Sequence, residues 1–433
     1  MKFYKSLRSA QGGFSLIEIM VGALLGLIGT IVIFQVFAVS EEQKRNTTGA
    51  GEAVQTASTA LYQLQRDAMS AGAGMSKFIY GCPVNGWYDN GQPGGQDLSF
   101  TFVPVIIQRA TTATGSDIIS FGYGSSALAA LPAGLLSDQT VPTFVRVFNR
   151  YGFKKGDLVV LLNYAEADSS TDYRRYCSLY QVSDLPTTPG LDDRVVMEPG
   201  SYVADDGQVR QIAYNRPGGL AGAKQFNRLA WNSSQSFVDG VQYPGRRGMI
   251  VNVGALPRFP VYSVENGQLV MGSGVTGAQG IAIADQVVKL KAHLAIDGNL
   301  PRPDGRLDGS MSQTALPVAN LTLGADHWAE ELPPPNMAAP PSLGMRSYRD
   351  WARVAAVRLV LVTRGERIRP KSGSTCDATT AMPVWKAAGG IPLDISGDPD
   401  WRCYRYATQE MTVPLRNLMW STADLGIQPT STP

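Results

Sequence analysis

Residues 13–39 read GFSLIEIMVGALLGLIGTIVIFQVFAV, and this stretch decides the fold. From Phe14 to Val39 the only formally charged residue is Glu18. As a helix, the run would be about 39 Å long, enough to cross a ~30 Å hydrocarbon core. The preceding residues, MKFYKSLRSAQGG, carry Lys2, Lys5 and Arg8 and no acid. The positive-inside rule places that leader in the cytoplasm and the rest of the chain across the membrane. A secretory signal peptide is the plainer reading, and Ala38-Val39-Ser40 offers small residues for cleavage. The apolar run is too long for that, and a carboxylate near its start is out of place. Glu18 also argues against a plain anchor. A charge within the bilayer costs at least ~2.5–3.5 kcal/mol and needs a partner. Cleavage between Gly13 and Phe14 would supply one. The new α-amine, with a pKa near ~7.7–8, would sit one turn from Glu18 and could meet such a carboxylate across a helix–helix contact.

Beyond this run, polar EEQKRNTTGAGE follows Ser40, with Gly49 and Gly51 weakening the helix locally. Val54, Ala57, Leu61, Leu64 and Ala68 then recur at spacings of three and four, one apolar stripe on a helix that Gly72 and Gly74 would stop. The remainder has short apolar runs at 116–124, 156–163, 177–182, 285–290 and 356–364, which read as strands, the last with alternation. Gly (46) and Pro (27) exceed usual proportions, and charged residues, at 17%, fall below them. This excludes a coiled coil. Much of the charge deficit lies in the apolar run, and the Gly and Pro excess lies in the rest. The formal net charge of +2 and the lack of a basic face give no support to a nucleic-acid partner.

Gly13-Phe14-Ser15-Leu16-Ile17-Glu18, after a short basic leader and before about twenty apolar residues, resembles the class III signal of type IV pilins and type II secretion pseudopilins. The resemblance implies a prepilin peptidase that cuts after Gly13 and methylates Phe14, and a role for Glu18 in helix docking during filament assembly. Unlike many major pilins, this segment has no Pro; Gly22, Gly26 and Gly29 stand in it instead, and Gly22-x-x-x-Gly26 suits close helix contact. Arg66-Asp67-Ala68-Met69-Ser70-Ala71-Gly72 followed by Gly81-Cys82 is similar to the PilW family of minor pilins; the runs 116–124, 156–163 and 177–182 resemble blocks of that family in the same order, 261–270 looks like its strand–turn–strand, and 404–418 resembles its closing strand.

The expected architecture is α+β: a 1–13 leader, a 14–40 transmembrane and assembly helix, a 41–75 amphipathic continuation, and a 76–433 periplasmic head. The head would be an antiparallel sheet enlarged by loop-rich insertions at about 184–260, 297–350 and 366–400. The resemblance implies a minor pilin that primes type IV pilus assembly at the inner membrane and then sits at the pilus tip. Its implied partners are other minor pilins, the major pilin, the prepilin peptidase, the assembly platform and a tip adhesin. The alternatives are a minor pseudopilin of a type II secretion system, or an adhesin or ligand-binding module carried on a pilin-like helix.

Cys82, Cys177, Cys376 and Cys403 all follow the apolar run, so they lie on the side expected to be oxidising. Four cysteines allow three pairings. Position favours Cys82–Cys177 and Cys376–Cys403, the second resembling the C-terminal disulfide loop of many pilins. No two cysteines have zinc-site spacing. Asp304 and Asp308, beside Asp297 and Asn299, are weak calcium candidates, as are Asp394, Asp398 and Asp400; neither group fits an EF-hand, and no other cofactor is expected. No G-x-S-x-G, H-E-x-x-H, S-x-x-K or P-loop occurs, so no enzyme is expected. His327 beside Asp326, and the pair Glu330-Glu331, read as ordinary loop residues.

Overall fold

The computed structural model describes residues 15–76, 79–126, 132–136, 143–164, 175–217, 236–238, 241–243, 249–275, 280–297, 315–316, 327–330, 354–368 and 376–421. Helix α1 (Leu16–Ser70) is unbroken over 55 residues, about 80 Å. It runs straight through Gly49 and Gly51. At Gly49 an added Cβ would sit 3.2 Å from the Glu366 backbone nitrogen, so the glycine lets a head loop approach the helix.

Residues Ala53, Ala57, Ala60, Leu61, Leu64, Ala68 and Ala71 form the buried stripe. The expected first member, Val54, is instead 44% exposed. The stripe begins one residue earlier, because small alanines let the helix settle closely on the sheet beneath. Two glycines end the helix as expected: Gly72 (φ +76°) and Gly74 (φ +59°) take left-handed conformations open to glycine at little cost.

Among the described residues, the head has three main sheets where one was expected. The first contains β1 (Cys82–Tyr88), β2 (Gln96–Phe102), β5 (Ala133–Gly134), β7 (Leu158–Tyr164), β8 (Arg175–Gln181) and β14 (Met249–Gly254). Their order is β2-β1-β8-β7-β14-β5, and only β1–β8 is parallel. The second contains β3 (Val105–Gln108), β4 (Ile118–Phe121), β15 (Pro260–Glu265), β16 (Gln268–Ser273) and β17 (Ile281–Asp285), in the antiparallel order β17-β16-β15-β4-β3. The third contains β18 (Val287–Ile296), β19 (Ala315–Leu316), β20 (His327–Ala329), β21 (Val354–Arg364) and β24 (Tyr406–Pro414), ordered β19-β20-β18-β21-β24. Four small pairs decorate these sheets: β6 (Phe144–Arg146) with β9 (Arg194–Val196), β10 (Ser201–Val203) with β11 (Val209–Gln211), β12 (Ser236–Val238) with β13 (Val241–Tyr243), and β22 (Val384–Trp385) with β23 (Ile391–Pro392). A short helix, α2 (Arg416–Ser421), closes the described chain.

Strand β21 explains the run VAAVRLVLV, apolar apart from Arg358. Val357, Leu359 and Leu361 join the core under α1, while Val360 and Val362 meet Trp385, Ala388 and Leu393 on the other face. A strand covered on both faces needs no polar alternation.

The stretch 184–260 is not simply an insertion. Its last part, β14, lies between β7 and β5 with Ile250, Val251 and Val253 fully buried. Its MIVNV run is short, and the surrounding glycines and prolines mask it. The stretch 366–400 likewise contributes the buried Trp385. Most of 297–350 lies outside the described residues.

Candidate functional site

The site is built on the first half of α1. Over Leu16–Ala38, 23 residues have mean hydropathy 2.5 and none is buried against the head. This segment is long and apolar enough to cross a membrane. Leu16 and Phe34 are more than two-thirds exposed. Among the described residues, nothing beyond the helix's own adjacent turns lies within 4 Å of a Cβ added at Gly22, Gly26 or Gly29, so that face is open to another helix. Thr30 does not break the apolar surface, because its hydroxyl donates to the Gly26 carbonyl at 2.8 Å.

Glu18 sits in the first turn of the helix. Its backbone N–H donates to the Ser15 carbonyl at 3.0 Å, which fixes its position directly at the helix start. The positive end of the helix dipole favours a carboxylate there. Gly13 and Phe14 lie outside the described residues.

The second half of α1 locks onto the head through a residue that sequence reasoning quoted without giving it a role. Asp67 is buried, at 2% exposure. Its carboxylate accepts from the Tyr123 hydroxyl at 3.1 Å and from the Tyr262 hydroxyl, and Arg66 Nε lies 3.8 Å away. Burial and the neighbouring Asp67 push both tyrosine pKa values up, so both remain donors. A cavity of about 290 Å³ beside this cluster is lined by Gln63, Phe100, Tyr214, Arg258 and Phe259, among others. The end of α1 is capped by a side chain from far along the sequence: Asn417 Nδ2 donates to the carbonyls of Met69 (2.9 Å) and Ala71 (3.2 Å). This satisfies acceptors that a helix end leaves open.

The four cysteines are joined as Cys82–Cys177 and Cys376–Cys403, with Cα separations of 6.0 and 4.8 Å. The first bond ties β1, just after the helix, to β8. The second closes a loop before β24.

Other candidates have structural partners. Asp398 pairs with Arg364 and Asp400 with Arg367, while Asp394 accepts from Ser396. Among the described residues no group of three His, Cys, Asp or Glu could hold a metal ion. Asp304 and Asp308 lie outside those residues. Glu330 pairs with Arg109, and His327 lies in β20.

Sequence reasoning missed one buried polar cluster. His293 on β18 faces Arg358 on β21 across the register. Arg358 Nε donates to His293 Nδ1 at 3.1 Å, and the guanidinium lies 4.2 Å from the Trp328 ring. The signal was present: a single cation within an otherwise apolar strand.

No family model matches this chain, and no curated protein matches it. Among solved structures, one match is a type IV-like pilin from Thermus thermophilus, at 16% identity and a TM-score of 0.17. The match covers 37% of this chain and 66% of that one, just under two thirds of its length.

Proposed function

We propose that this chain is a type IV pilin-class subunit, a PilW-like minor pilin that helps prime pilus assembly. One observation carries the reading. An apolar helix projects free of the head, with its one carboxylate, Glu18, in the first turn, directly after a Gly13-Phe14 junction. In this reading, prepilin peptidase removes residues 1–13 and methylates Phe14 while the head waits in the periplasm. The helix then leaves the bilayer laterally and enters a bundle of similar helices. There, the Phe14 amine and a Glu18 carboxylate meet across a helix contact, which makes both charges tolerable in a dry setting. The head is large for a pilin, which suits a tip position with few crowding neighbours. The partners are the other minor pilins, the major pilin and the assembly platform. The protein acts by assembly, not catalysis, and needs no cofactor.

Replacing Glu18 with Val tests this directly. Membrane insertion should persist while surface pili fall by about tenfold or more; a normal pilus number removes the docking role. The mature N-terminus provides the second readout. N-methyl-Phe14 supports the pilin class, whereas Glu41 would mean a secreted head and Met1 a plain anchor.

A further inference from the structure

The cavity beside Asp67 gathers partly exposed aromatic side chains and unpaired donors in one place. It lies where α1, the first sheet and the second sheet converge. Gln63 comes from α1, Phe100 from β2 and Met271 from β16, and Tyr214 and the segment Pro257-Arg258-Phe259-Pro260 complete it. Phe100 and Phe259 are half-buried, with ring centroids 5.5 Å apart and planes tilted by 59°. Phe102 backs both from the core, at 5.1 and 5.4 Å. Rings in tilted and edge-on arrangements attract a further ring in the same manner.

The walls are held in place by the protein itself. Arg258 N–H donates to the Tyr123 carbonyl at 2.8 Å, and the Arg258 carbonyl accepts from Tyr123 N–H at 3.0 Å. Pro257 and Pro260 restrict the same segment. Next to Tyr214, the buried Asn215 side chain accepts from the Gln181 N–H at 2.8 Å and donates to the Gln181 carbonyl at 2.7 Å. A site formed in advance loses less free energy to ordering when it binds.

Two donors of this cavity have no partner among the described residues. Arg258 is exposed at the mouth and forms no ion pair. The Tyr214 hydroxyl makes no hydrogen bond, and burial and the adjacent Tyr88 raise its pKa, so it stays protonated. The acid of the cavity is already engaged: Asp67 accepts from Tyr123 and Tyr262, with Arg66 beside it. One uncompensated cation therefore stands at the mouth of an aromatic cavity.

We propose that this cavity binds a small aromatic carboxylate, its ring against Phe100 and Phe259 and its carboxylate held by Arg258 and the Tyr214 hydroxyl. A guanidinium matches a carboxylate with two parallel N–H donors. The cavity volume, about 290 Å³, lies at the small end of ligand sites. It has room for one ring and a short side chain, not for a dinucleotide or a long acyl chain. A sugar fits poorly, because most of its hydroxyls would be desolvated against phenylalanine rings. The site does not depend on how α1 assembles, so it stands apart from the pilin-class reading.

The test uses the full-length chain in lipid nanodiscs, with phenylacetate as the probe and the isotope-labelled methyl signal of Met271 as the readout. That signal, assigned through Met271→Leu, should shift saturably with a dissociation constant of about 1 mM or tighter. Phenethylamine reverses the charge and acetate lacks the ring; each should bind about tenfold more weakly or worse. Arg258→Gln should weaken phenylacetate by about tenfold or more, and Tyr214→Phe by about threefold or more, both at an unchanged melting temperature. The absence of a saturable shift at Met271 overturns the proposal. Phenethylamine binding as tightly as phenylacetate overturns the charge assignment and makes Asp67 the anchor. Unchanged affinity in Arg258→Gln removes the cation at the mouth as the determinant. A pentapeptide ending in phenylalanine that binds about tenfold tighter than phenylacetate overturns a free small acid as the ligand.

Discussion

At the scale of single residues, the pair His293–Arg358 makes acid a specific threat to this head. His293 is buried between strands, and Arg358, Lys291 and Arg109 surround it with positive charge. Burial and these cations push its pKa down to about 3. Burial lowers Arg358 to about 10, so it remains a cation at neutral pH and requires a neutral imidazole as acceptor. The unfolded chain takes up a proton near pH 6.5 and the folded chain does not. The stabilisation is therefore complete above about pH 6.5 and is lost as pH falls toward 3, at up to about 1.4 kcal/mol per pH unit. Urea titrations across pH 4–7 should show a steeper loss of stability for the wild type than for His293→Gln. Parallel profiles would remove His293 as the cause. Asp67 is the other residue whose meaning emerges only in three dimensions. Its partner Tyr262 is 195 positions away, a separation no local pattern signals. Glu18 stands out from the sequence alone, because a carboxylate in an apolar run is anomalous without any structure.

At the scale of elements, the joint between α1 and the head depends on Gly72. Its φ of +76° and the contacts that a Cβ would make, 2.7 Å from Leu418 Cδ1 and 2.9 Å from the Tyr80 hydroxyl, both exclude a side chain. Gly72→Ala should cost about 1–3 kcal/mol, from left-handed strain plus crowding of α2. Chemical denaturation measures this; a loss within error would show that α2 yields freely. The long helix and its stop were readable from periodicity and turn glycines, the strands β7, β8, β18 and β21 from their short apolar runs, and β15 and β16 from the family resemblance. Strand β14 was not, since its short apolar run sits within glycine- and proline-rich sequence and becomes a strand only by pairing with β7. The division into three sheets was equally hidden. Strand order is set by contacts between distant segments, and alternation within one strand is silent about its neighbours.

At the scale of the whole molecule, the Cys82–Cys177 bond reinforces a join of the first sheet that rests on two residue pairs. β1 and β8 share only the parallel pairs Val84↔Cys177 and Asn85↔Ser178. The bond spans 95 residues, against 27 for Cys376–Cys403. In the chain-entropy account, the longer loop contributes about 1 kcal/mol more. The double variant Cys82→Ser/Cys177→Ser should lose about 2–5 kcal/mol, and Cys376→Ser/Cys403→Ser somewhat less. Denaturation midpoints on oxidised protein compare them, and the reverse order would contradict the loop-length argument.

The seating of α1 along β24 and β21 has a mechanical consequence. Attachments extend from Ala53, whose carbonyl accepts from Thr363, through Asp67 to the Asn417 cap beyond Met69. Tension applied to the head and resisted at the apolar end runs nearly along this seam. It loads the alanine stripe and its hydrogen bonds in shear, all at once, instead of peeling them apart in turn. A rod fixed to its load in this way transmits a pull without giving up its grip one contact at a time.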